Sequence, residues 1–306
     1  MKIIVLGSAA GGGFPQWNCN CRNCAGVRSG AIVARARTQS SIAVSDNGRD
    51  WILINASPDL LTQIRRAPAL QPARGRRDSG ICAVMLMDAQ IDHVTGLLML
   101  REGLPIPLYC TAAVWEELST SLPLVAVLSH YCGLQWHPLG VGPAARRPLA
   151  VPGVDNIRFT ALPLQSKAPP YSPHREAPQA GDNIGLLIEN METGKTVFYA
   201  PGLGAIEPHI EAAMRAADCV LVDGTFWSAD EMIRQGFSSK FAADMGHLPQ
   251  DGEGGMIAAL NAVGPRRKVL IHINNTNPIL DEQSPQRAIL AEHGIEVAFD
   301  GMEIDL

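Results

Sequence analysis

Short apolar runs recur along the chain and are separated by turns rich in glycine, proline, asparagine and aspartate. Runs of this length predict strands, and the run at 81–87, apolar throughout, predicts a strand buried on both faces. We predict strands at 3–6, 40–44, 51–54, 81–87, 108–110, 157–161, 184–189, 196–199, 219–223, 269–273 and 297–300.

Longer amphipathic segments lie between these strands and predict helices. We place helices at 58–65, 96–101, 112–119, 207–217, 253–263 and 285–293. Strands dominate early, helices recur between the later strands, and no change in composition marks a boundary. We therefore predict a single domain over residues 1–306, with an α/β fold in which two mixed sheets are sandwiched between helices.

Composition is that of an ordinary globular protein, with 46% hydrophobic and 18% charged residues among 306. The net charge of −5 and the lack of a basic run argue against a nucleic-acid partner. No apolar run approaches the roughly 20 residues that cross a bilayer, so we expect no membrane partner. The apolar opening at 3–6 is too short for a secretion signal, and we expect a cytoplasmic protein.

Three of the seven cysteines form a cluster, Cys19-x-Cys21-x-x-Cys24. Thiolates at this spacing can surround one tetrahedral ion, and a sulfur-rich ligand set is typical of structural zinc. We therefore expect a metal loop near 17–26. The odd count argues against a disulfide framework. The remaining cysteines are scattered among apolar neighbours and are expected to be buried: Cys82, Cys110, Cys132 and Cys219.

The most informative motif follows the apolar run at 81–87 and reads Asp88-Ala-Gln90-Ile-Asp92-His93, with Gly96 after it. It has the layout of a two-metal hydrolase signature, His-x-His-x-Asp-His-x-x-Gly, without the first two histidines. The motif lies at the carboxyl end of a predicted strand, where open sheets bind ligands.

A second histidine, His272, lies at the end of another apolar strand. Taken singly, Asp92 also fits a helix cap and His272 a core histidine. Their occurrence at two strand ends favours a metal site.

These features together resemble the metallo-β-lactamase superfamily: a glycine-rich segment after the first strand, the Asp92-His93-x-x-Gly96 signature and the late His272. More narrowly, the chain resembles the coenzyme PQQ synthesis protein B family nearly from end to end. The most specific stretches are residues 17–24, 167–174, 181–186 and 272–278. The resemblance implies the four-layered αββα fold of the superfamily.

The resemblance also implies which metal ligands remain. The three histidines of the superfamily's first metal site fall on Asp88, Gln90 and Gln165, and its bridging aspartate falls on Gly202. The second site is complete, with Asp92, His93 and His272. Two histidines and one carboxylate with open positions match the facial triad of non-haem Fe(II) oxygenases. A lone Zn²⁺ at the same ligands would instead activate water.

The fourth ligand of the cysteine site is left open between two residues. Superfamily phosphodiesterases with a similar cysteine triplet use a histidine three residues after the late active-site histidine, which here is Asn275. His247 is the other candidate, and it also resembles the superfamily position that supplies an acid near the active site. Zinc at Asn275 would tie the first loop to the loop after His272.

Several polar residues are candidates for substrate binding. Asp88, Gln90 and Gln165 occupy the lost metal site, where they are expected to make room for and orient the substrate. Lys167 and Tyr171 lie on a long proline-rich loop at 163–181 and are expected to meet acidic groups, although a solvated lysine is equally consistent with the sequence. Asp223 is expected to position substrate or a ligand histidine, and Asn274 to bind substrate or to satisfy its turn.

The family resemblance implies a role in the biosynthesis of pyrroloquinoline quinone (PQQ). The first hypothesis is Fe(II)- and O2-dependent hydroxylation of the tyrosine ring in a crosslinked Glu–Tyr precursor, with His247 assisting catalysis. The second is a metallo-hydrolase acting on a peptide or ester. The third is a non-catalytic carrier that binds PQQ for handling or export. A homodimer is compatible with each hypothesis.

Overall fold

The computed structural model describes residues 1–142 and 147–306, which form two seven-stranded sheets. The first sheet contains β1 (Lys2–Gly7), β2 (Ser41–Ser45), β3 (Trp51–Ile54), β4 (Ile81–Met85), β5 (Ile106–Cys110), β6 (Leu134–Pro138) and the last strand, β14 (Glu303–Asp305). The second contains β7 (Leu149–Val151), β8 (Val154–Pro163), β9 (Ile184–Asn190), β10 (Thr196–Ala200), β11 (Cys219–Asp223), β12 (Arg267–Ile271) and β13 (Ile295–Val297).

Both sheets are mixed, and they are built alike. The order of the first is β14-β1-β2-β3-β4-β5-β6, antiparallel up to β3 and parallel from β3 to β6. The order of the second is β13-β12-β11-β10-β9-β8-β7, parallel up to β10 and antiparallel beyond it. Each sheet therefore has a block of parallel strands whose carboxyl ends share one edge.

Side chains of the central strands are buried on both faces, which explains their continuous apolar runs. Along β12, Val269 and Ile271 face the core between the two sheets, whereas Leu270 packs in a second core under the helices. In β4, Met85 joins the core between the sheets and Val84 joins a third core on the opposite side. The layers are thus helix, sheet, sheet and helix, and the predicted four-layered α/β fold is confirmed.

Helices cover the two outer faces. They are α1 (Arg22–Ser29), α2 (Leu60–Arg66), α3 (Ile91–Val94), α4 (Ala112–Ser119), α5 (Leu124–Leu128), α6 (Pro208–Ala216), α7 (Glu231–Arg234), α8 (Met256–Val263) and α9 (Pro285–Glu292). Single 3-10 turns occur at Pro68–Leu70, Thr95–Leu100, Ala243–Met245 and Pro278–Leu280. Among the described helices, none has the length and apolar character needed to cross a membrane.

Some predicted elements were wrong. The helix predicted at 96–101 is a 3-10 turn, and it follows α3, which already begins at Ile91. The strand predicted at 297–300 ends at Val297, and the chain then turns into β14, which the sequence analysis missed. It also missed α1, where Cys21 caps the helix by accepting a hydrogen bond from the Cys24 amide. Four further elements without a strong sequence pattern, α5, α7, β6 and β7, were not predicted.

The glycine-rich segment after β1 joins the two sheets near their carboxyl edges. The Ala10 amide donates to the Ile273 carbonyl, and the Ile273 amide donates to the Ser8 carbonyl, each at 2.9 Å. Ala9 also forms a short bridge with Gln39 on the side of the first sheet. This segment therefore places the end of β12 beside the end of β4, where the predicted ligands lie.

Candidate metal centre

Asp92, His93 and His272 come together where the two sheets meet. The first two lie on α3, directly after β4, and the third follows β12. The Oδ2 atom of Asp92 is 3.7 Å from Nε2 of His93 and 3.5 Å from Nε2 of His272. Both imidazoles are buried and the carboxylate is partly exposed. One ligand atom from each residue thus lies within 4.8 Å of the others, and the carboxylate is the most exposed of the three side chains.

Asp88 orients His93. The two Asp88 carboxylate oxygens lie 2.8 and 2.9 Å from Nδ1 of His93, and both residues are buried. Because an ionised carboxylate can only accept, Nδ1 carries a proton, and Nε2 is the ring nitrogen that faces Asp92 and is left to bind a metal. A carboxylate that fixes the ring and tautomer in this way is the usual neighbour of a metal-binding histidine. In the structure Asp88 therefore supports the metal ligand His93, whereas from the sequence it was expected to bind substrate.

Thr225 orients His272. Its Oγ1 atom donates to the His272 carbonyl and lies 2.9 Å from Nδ1 of the same residue. Since the hydroxyl proton is committed to the carbonyl, Nδ1–H donates to Oγ1, and Nε2 of His272 is the ring nitrogen left to bind a metal. The backbone of His272 has φ of 58°, in the left-handed region that favours glycine. Sequence reasoning missed Thr225, whose only signal was its place just after the end of β11.

Asp223 and His247 form a second pair beside His272. Nδ1 of His247 lies 2.7 Å from Oδ2 of Asp223, and the His247 and His272 rings stack with centroids 5.4 Å apart. Asp223 is fully buried and also accepts from the amides of Leu203 and Thr225. These contacts position His247, and one ligand atom each from Asp223, His247 and His272 also lies within 4.8 Å of the others.

The buried charges of the centre influence one another. Burial lowers the pKa of His93, but Asp88 and Asp92 outweigh it and raise that pKa to about 9. Burial raises the pKa of Asp92, yet His93 and His272 hold it well below its usual range. The pKa of His247 is raised because Asp223 outweighs burial. The site thus favours positive charge close to Asp92.

A metal ion fits these residues. Nε2 of His93 is buried and has no hydrogen-bond partner within residues 1–142 and 147–306. A buried ring nitrogen left without a partner costs free energy unless a ligand binds it. Two imidazole nitrogens and one carboxylate oxygen are also a donor set that binds Fe(II) or Zn²⁺. A cation at this point would satisfy His93 and balance Asp92.

Glycines allow the close packing around this centre. A Cβ atom at Gly11 would lie 3.2 Å from Oδ2 of Asp92, so a larger residue there would press on the carboxylate. Gly202, the position of the superfamily's bridging aspartate, lies next to His247, with 4.0 Å between a Cβ atom there and Cε1 of the ring. No carboxylate is available at that position to bridge a second metal.

The three cysteines form a separate, buried group. Their Sγ atoms lie within 4.8 Å of one another, as one bound ion requires. Backbone amides donate to these sulfurs: Cys21 to Cys19, Cys24 to Cys21, and Gln16 to Cys24, each at 3.4 Å. Such amides stabilise thiolates, the form of cysteine that binds metal.

Asn275 lies where a fourth ligand would complete the cysteine group. Its Nδ2 atom lies 3.0 Å from Sγ of Cys19 and 3.5 Å from that of Cys24. The amide nitrogen, rather than the oxygen, therefore faces the sulfurs, and ligation through the oxygen needs the amide to rotate by half a turn. Asn23 donates to the carbonyls of Asn275 and Asn277, so the loop after His272 is tied to α1.

His247 does not lie at the cysteines. Its described contacts are with Asp223, Thr225, Phe226 and His272. The structure thus contradicts His247 as the alternative zinc ligand, because it belongs to the centre at His272. Its place there agrees with the expected acid near the active site.

The predicted substrate residues are dispersed around the centre. The Tyr171 hydroxyl donates to the Ala89 carbonyl, and Gln90 donates to the Lys167 carbonyl at 3.4 Å, so the proline-rich loop lies against the motif. Gln165 is exposed on that loop. Asn274 donates to Thr276 at 2.6 Å and lies 3.4 Å from the Met232 sulfur, so its side chain contacts its own loop and the region of α7.

The chain resembles known proteins over its full length. A family model described as beta-lactamase superfamily domain matches residues 50–273. Coenzyme PQQ synthesis protein B of Cupriavidus necator is 63% identical over 306 residues, covering 100% of this chain and 99% of the relative. The chain belongs to the coenzyme PQQ synthesis protein B family. The family protein of Methylococcus capsulatus is 57% identical and covers both chains completely.

A solved structure of the family has the same fold. Zinc-bound PqqB from Methylobacterium extorquens is 38% identical and superposes with a TM-score of 0.89, covering 100% of both chains. A diphosphatase from the PhnP family is 16% identical with a TM-score of 0.66, covering 99% of this chain and 96% of its own, and it shares the fold alone. The family assignment made from the sequence is therefore confirmed.

Proposed function

We propose that the protein acts in PQQ biosynthesis as an Fe(II)- and O2-dependent hydroxylase of the tyrosine ring in a crosslinked Glu–Tyr precursor. The names of its relatives support the pathway. The observation that carries the reaction is the ligand set of Asp92, His93 and His272, with one buried ring nitrogen unsatisfied. Two histidines and a carboxylate leave coordination positions open for O2 and substrate.

The replaced residues of the other metal site argue against a two-metal hydrolase. Asp88 is committed to His93, and Gly202 offers no ligand atom. Gln90 contacts the proline-rich loop and Gln165 is exposed. A two-metal mechanism relies on a second ion about 4 Å from the first to hold the attacking oxygen. The replacements remove the ligands that the superfamily uses for such an ion.

The protein's own residues would orient the ligands and move protons. Asp88 and Thr225 fix the tautomers of His93 and His272 so that both Nε2 atoms face Asp92. Nδ1 of His247 is held by Asp223, which leaves Nε2 of His247 as the atom that holds or transfers a proton. When bound, Fe(II) supplies the one-electron chemistry that activation of O2 requires. Replacing a ring hydrogen by a hydroxyl uses one oxygen atom, and reduction of the other to water takes two electrons and two protons from a reductant such as ascorbate.

The test is an isotope experiment on the whole chain. The protein is loaded with Fe(II) without oxygen, mixed with the crosslinked precursor and ascorbate, and exposed to oxygen-18 gas. We expect a product that carries one added oxygen-18 atom per hydroxylation, detected by mass spectrometry. His93→Ala and His272→Ala should abolish it, whereas His130→Ala, at an exposed site, should not. Iron-loaded protein that leaves the precursor unchanged would overturn the hydroxylase.

A zinc arm of the same experiment separates the other hypotheses. The PqqB structure from Methylobacterium extorquens is zinc-bound, so a zinc-dependent activity has support of its own. Cleavage of a peptide or ester with Zn²⁺ and without O2 would favour a hydrolase. Binding of PQQ that survives both histidine substitutions, without turnover, would favour a carrier.

A further inference from the structure

Glu117 is a buried acid that the proposed reaction does not use. It lies on α4, and its side chain is fully buried. Neither of its carboxylate oxygens makes a hydrogen bond of good geometry in the part of the chain that the structure describes, although the nearby Ser172 hydroxyl partly offsets the rise that burial causes in the pKa of Glu117. A buried carboxylate without a partner is strongly unfavourable unless a cation or a proton compensates it.

His174, in the proline-rich loop, and Asp182, directly after it, face this carboxylate. Nδ1 of His174 lies 3.0 Å from Oδ1 of Asp182, and Asp182 is almost fully buried. One ligand atom each from Glu117, His174 and Asp182 lies within 4.8 Å of the others. Because the three come from α4 and from two points of the loop, only the folded chain brings them together.

The charges and donor atoms of this group suit a divalent transition metal. Two carboxylates outnumber the one imidazole, and a third carboxylate, Glu116, lies 3.9 Å from Nε2 of His174. Imidazole nitrogen and carboxylate oxygen are the donors that bind Zn²⁺ at about 2.0 to 2.2 Å, which sets ligand atoms roughly 3.4 Å apart. The present ligand atoms lie within 4.8 Å of one another, so binding of an ion requires the more distant of them to move closer. Burial also raises the pKa of Glu117, so a proton is the competing occupant.

We propose that Glu117, His174 and Asp182 form a further metal site, for Zn²⁺ or a similar divalent transition metal, that fastens the proline-rich loop to α4. The site is distinct from the cysteine group and from the centre at Asp92, and the proposal is independent of the reaction proposed above. The ion would neutralise Glu117 and hold the loop through His174 and Asp182.

The position of the loop gives this site a consequence for the metal centre. The segment fastened at His174 also contains Tyr171 and Lys167, which lie against Ala89 and Gln90 of the motif. At its end, the Gly181 carbonyl accepts from Thr111, the cap of α4, at 2.7 Å. An ion at Glu117 would therefore hold the proline-rich loop to α4. It would set how firmly the loop covers one side of the candidate active site.

Zinc stoichiometry tests the proposal. The full chain and its variants are dialysed against micromolar Zn²⁺, and bound zinc is counted by elemental analysis. Glu117→Gln and Asp182→Asn should each bind one zinc fewer than the unsubstituted protein. Glu176→Gln, which removes a carboxylate from an exposed position of the same loop, should bind the same number. Equal zinc content in all four proteins would overturn the site.

Two further measurements guard against variants that fold poorly. Anomalous diffraction at the zinc edge, on crystals of the unsubstituted protein, should show a peak between Glu117, His174 and Asp182. Hydrogen exchange of residues 163–183 should slow when Zn²⁺ is added to the unsubstituted protein and to Glu176→Gln, but not to Glu117→Gln. A loop equally protected with and without zinc, and no anomalous peak, would show that a proton or hydrogen bonds alone join these residues.

Discussion

Nδ1 of His93 lies 2.8 Å from the carboxylate of Asp88. Asp88 occupies the position where the superfamily has its first histidine ligand. In this chain the side chain at that position contacts another ligand, His93. The Asp88 carboxylate does not serve as a ligand of a first metal site. It fixes the orientation of His93, a ligand of the second site. This one replacement thus contributes both to the loss of one site and to the support of the other.

Removing the Asp88 carboxylate should weaken metal binding without removing a ligand. In Asp88→Ala we expect the affinity for Fe(II) to fall by about 10- to 100-fold, because His93 loses the partner that fixes its ring and tautomer. Asp88→Asn should lose less, since its amide oxygen still accepts from Nδ1. Anaerobic titration measures the affinity. Gln90→Ala is the control, and an unchanged affinity in Asp88→Ala would refute the orienting role.

The Thr225 hydroxyl should matter for both stability and metal affinity. Thr225→Val keeps the shape but leaves the buried Nδ1 of His272 unpaired, at a cost of about 1 to 3 kcal/mol in the free energy of unfolding. We expect lower Fe(II) affinity as well, and Thr225→Ser should restore both. Denaturant unfolding and metal titration are the measurements. Thr95→Val removes a hydroxyl bonded to a helix carbonyl at an exposed position and should have little effect. If the Thr225 and Thr95 variants behave alike, Thr225 does not position His272.

The cysteine group should bind one structural zinc. Cys24→Ser should lose that zinc and unfold at a lower temperature than the zinc-loaded protein, because one of its three thiolates is gone. Cys132→Ser, at a cysteine outside the group, should keep it. Asn275→Asp should bind zinc at least as tightly as the unsubstituted protein, since a carboxylate presents oxygen in either orientation. Elemental analysis combined with thermal unfolding decides, and full zinc content in Cys24→Ser would contradict the assignment.

Glu231 should make the folded state less stable as pH rises. Burial raises its pKa from 4.5 to about 7 against the opposing hydrogen bonds from Thr276 and the Trp227 amide. The folded protein therefore binds more protons than the unfolded chain between these values. The free energy of unfolding should fall by up to about 3 kcal/mol from pH 4.5 to pH 7 through this group.

Glu231→Gln carries no titrating group and should remove this part of the pH dependence. Unfolding in denaturant across the pH range measures it, with Glu292→Gln at an exposed helix end as the control. The same slope in Glu231→Gln and in the unsubstituted protein would show that the carboxyl does not titrate with a raised pKa.

The sequence was sufficient to find the ligands because they follow two apolar strands. Each follows the carboxyl end of an apolar strand, where open sheets bind ligands, and the resemblance to the superfamily grouped Asp92, His93 and His272 across the two sheets. The roles of Asp88 and Thr225 in orienting His93 and His272 could not be predicted. Each role depends on which ring nitrogen the side chain contacts in the folded protein. The same holds for Glu117 and His174, which are 57 residues apart in the chain and meet only through packing of the loop on α4. Similarly, α1 was missed because a cysteine at its start was interpreted only as a metal ligand and not as a cap.

The ligands of the centre come from both sheets, Asp92 and His93 after β4 and His272 after β12. An ion that binds all three therefore binds the assembled sandwich and not the unfolded chain. By mass action, free metal at 100 times its dissociation constant adds about 2.7 kcal/mol to folding stability. The amount of intact protein would then follow the supply of metal in its surroundings, so that starvation for the ion removes the protein along with its activity.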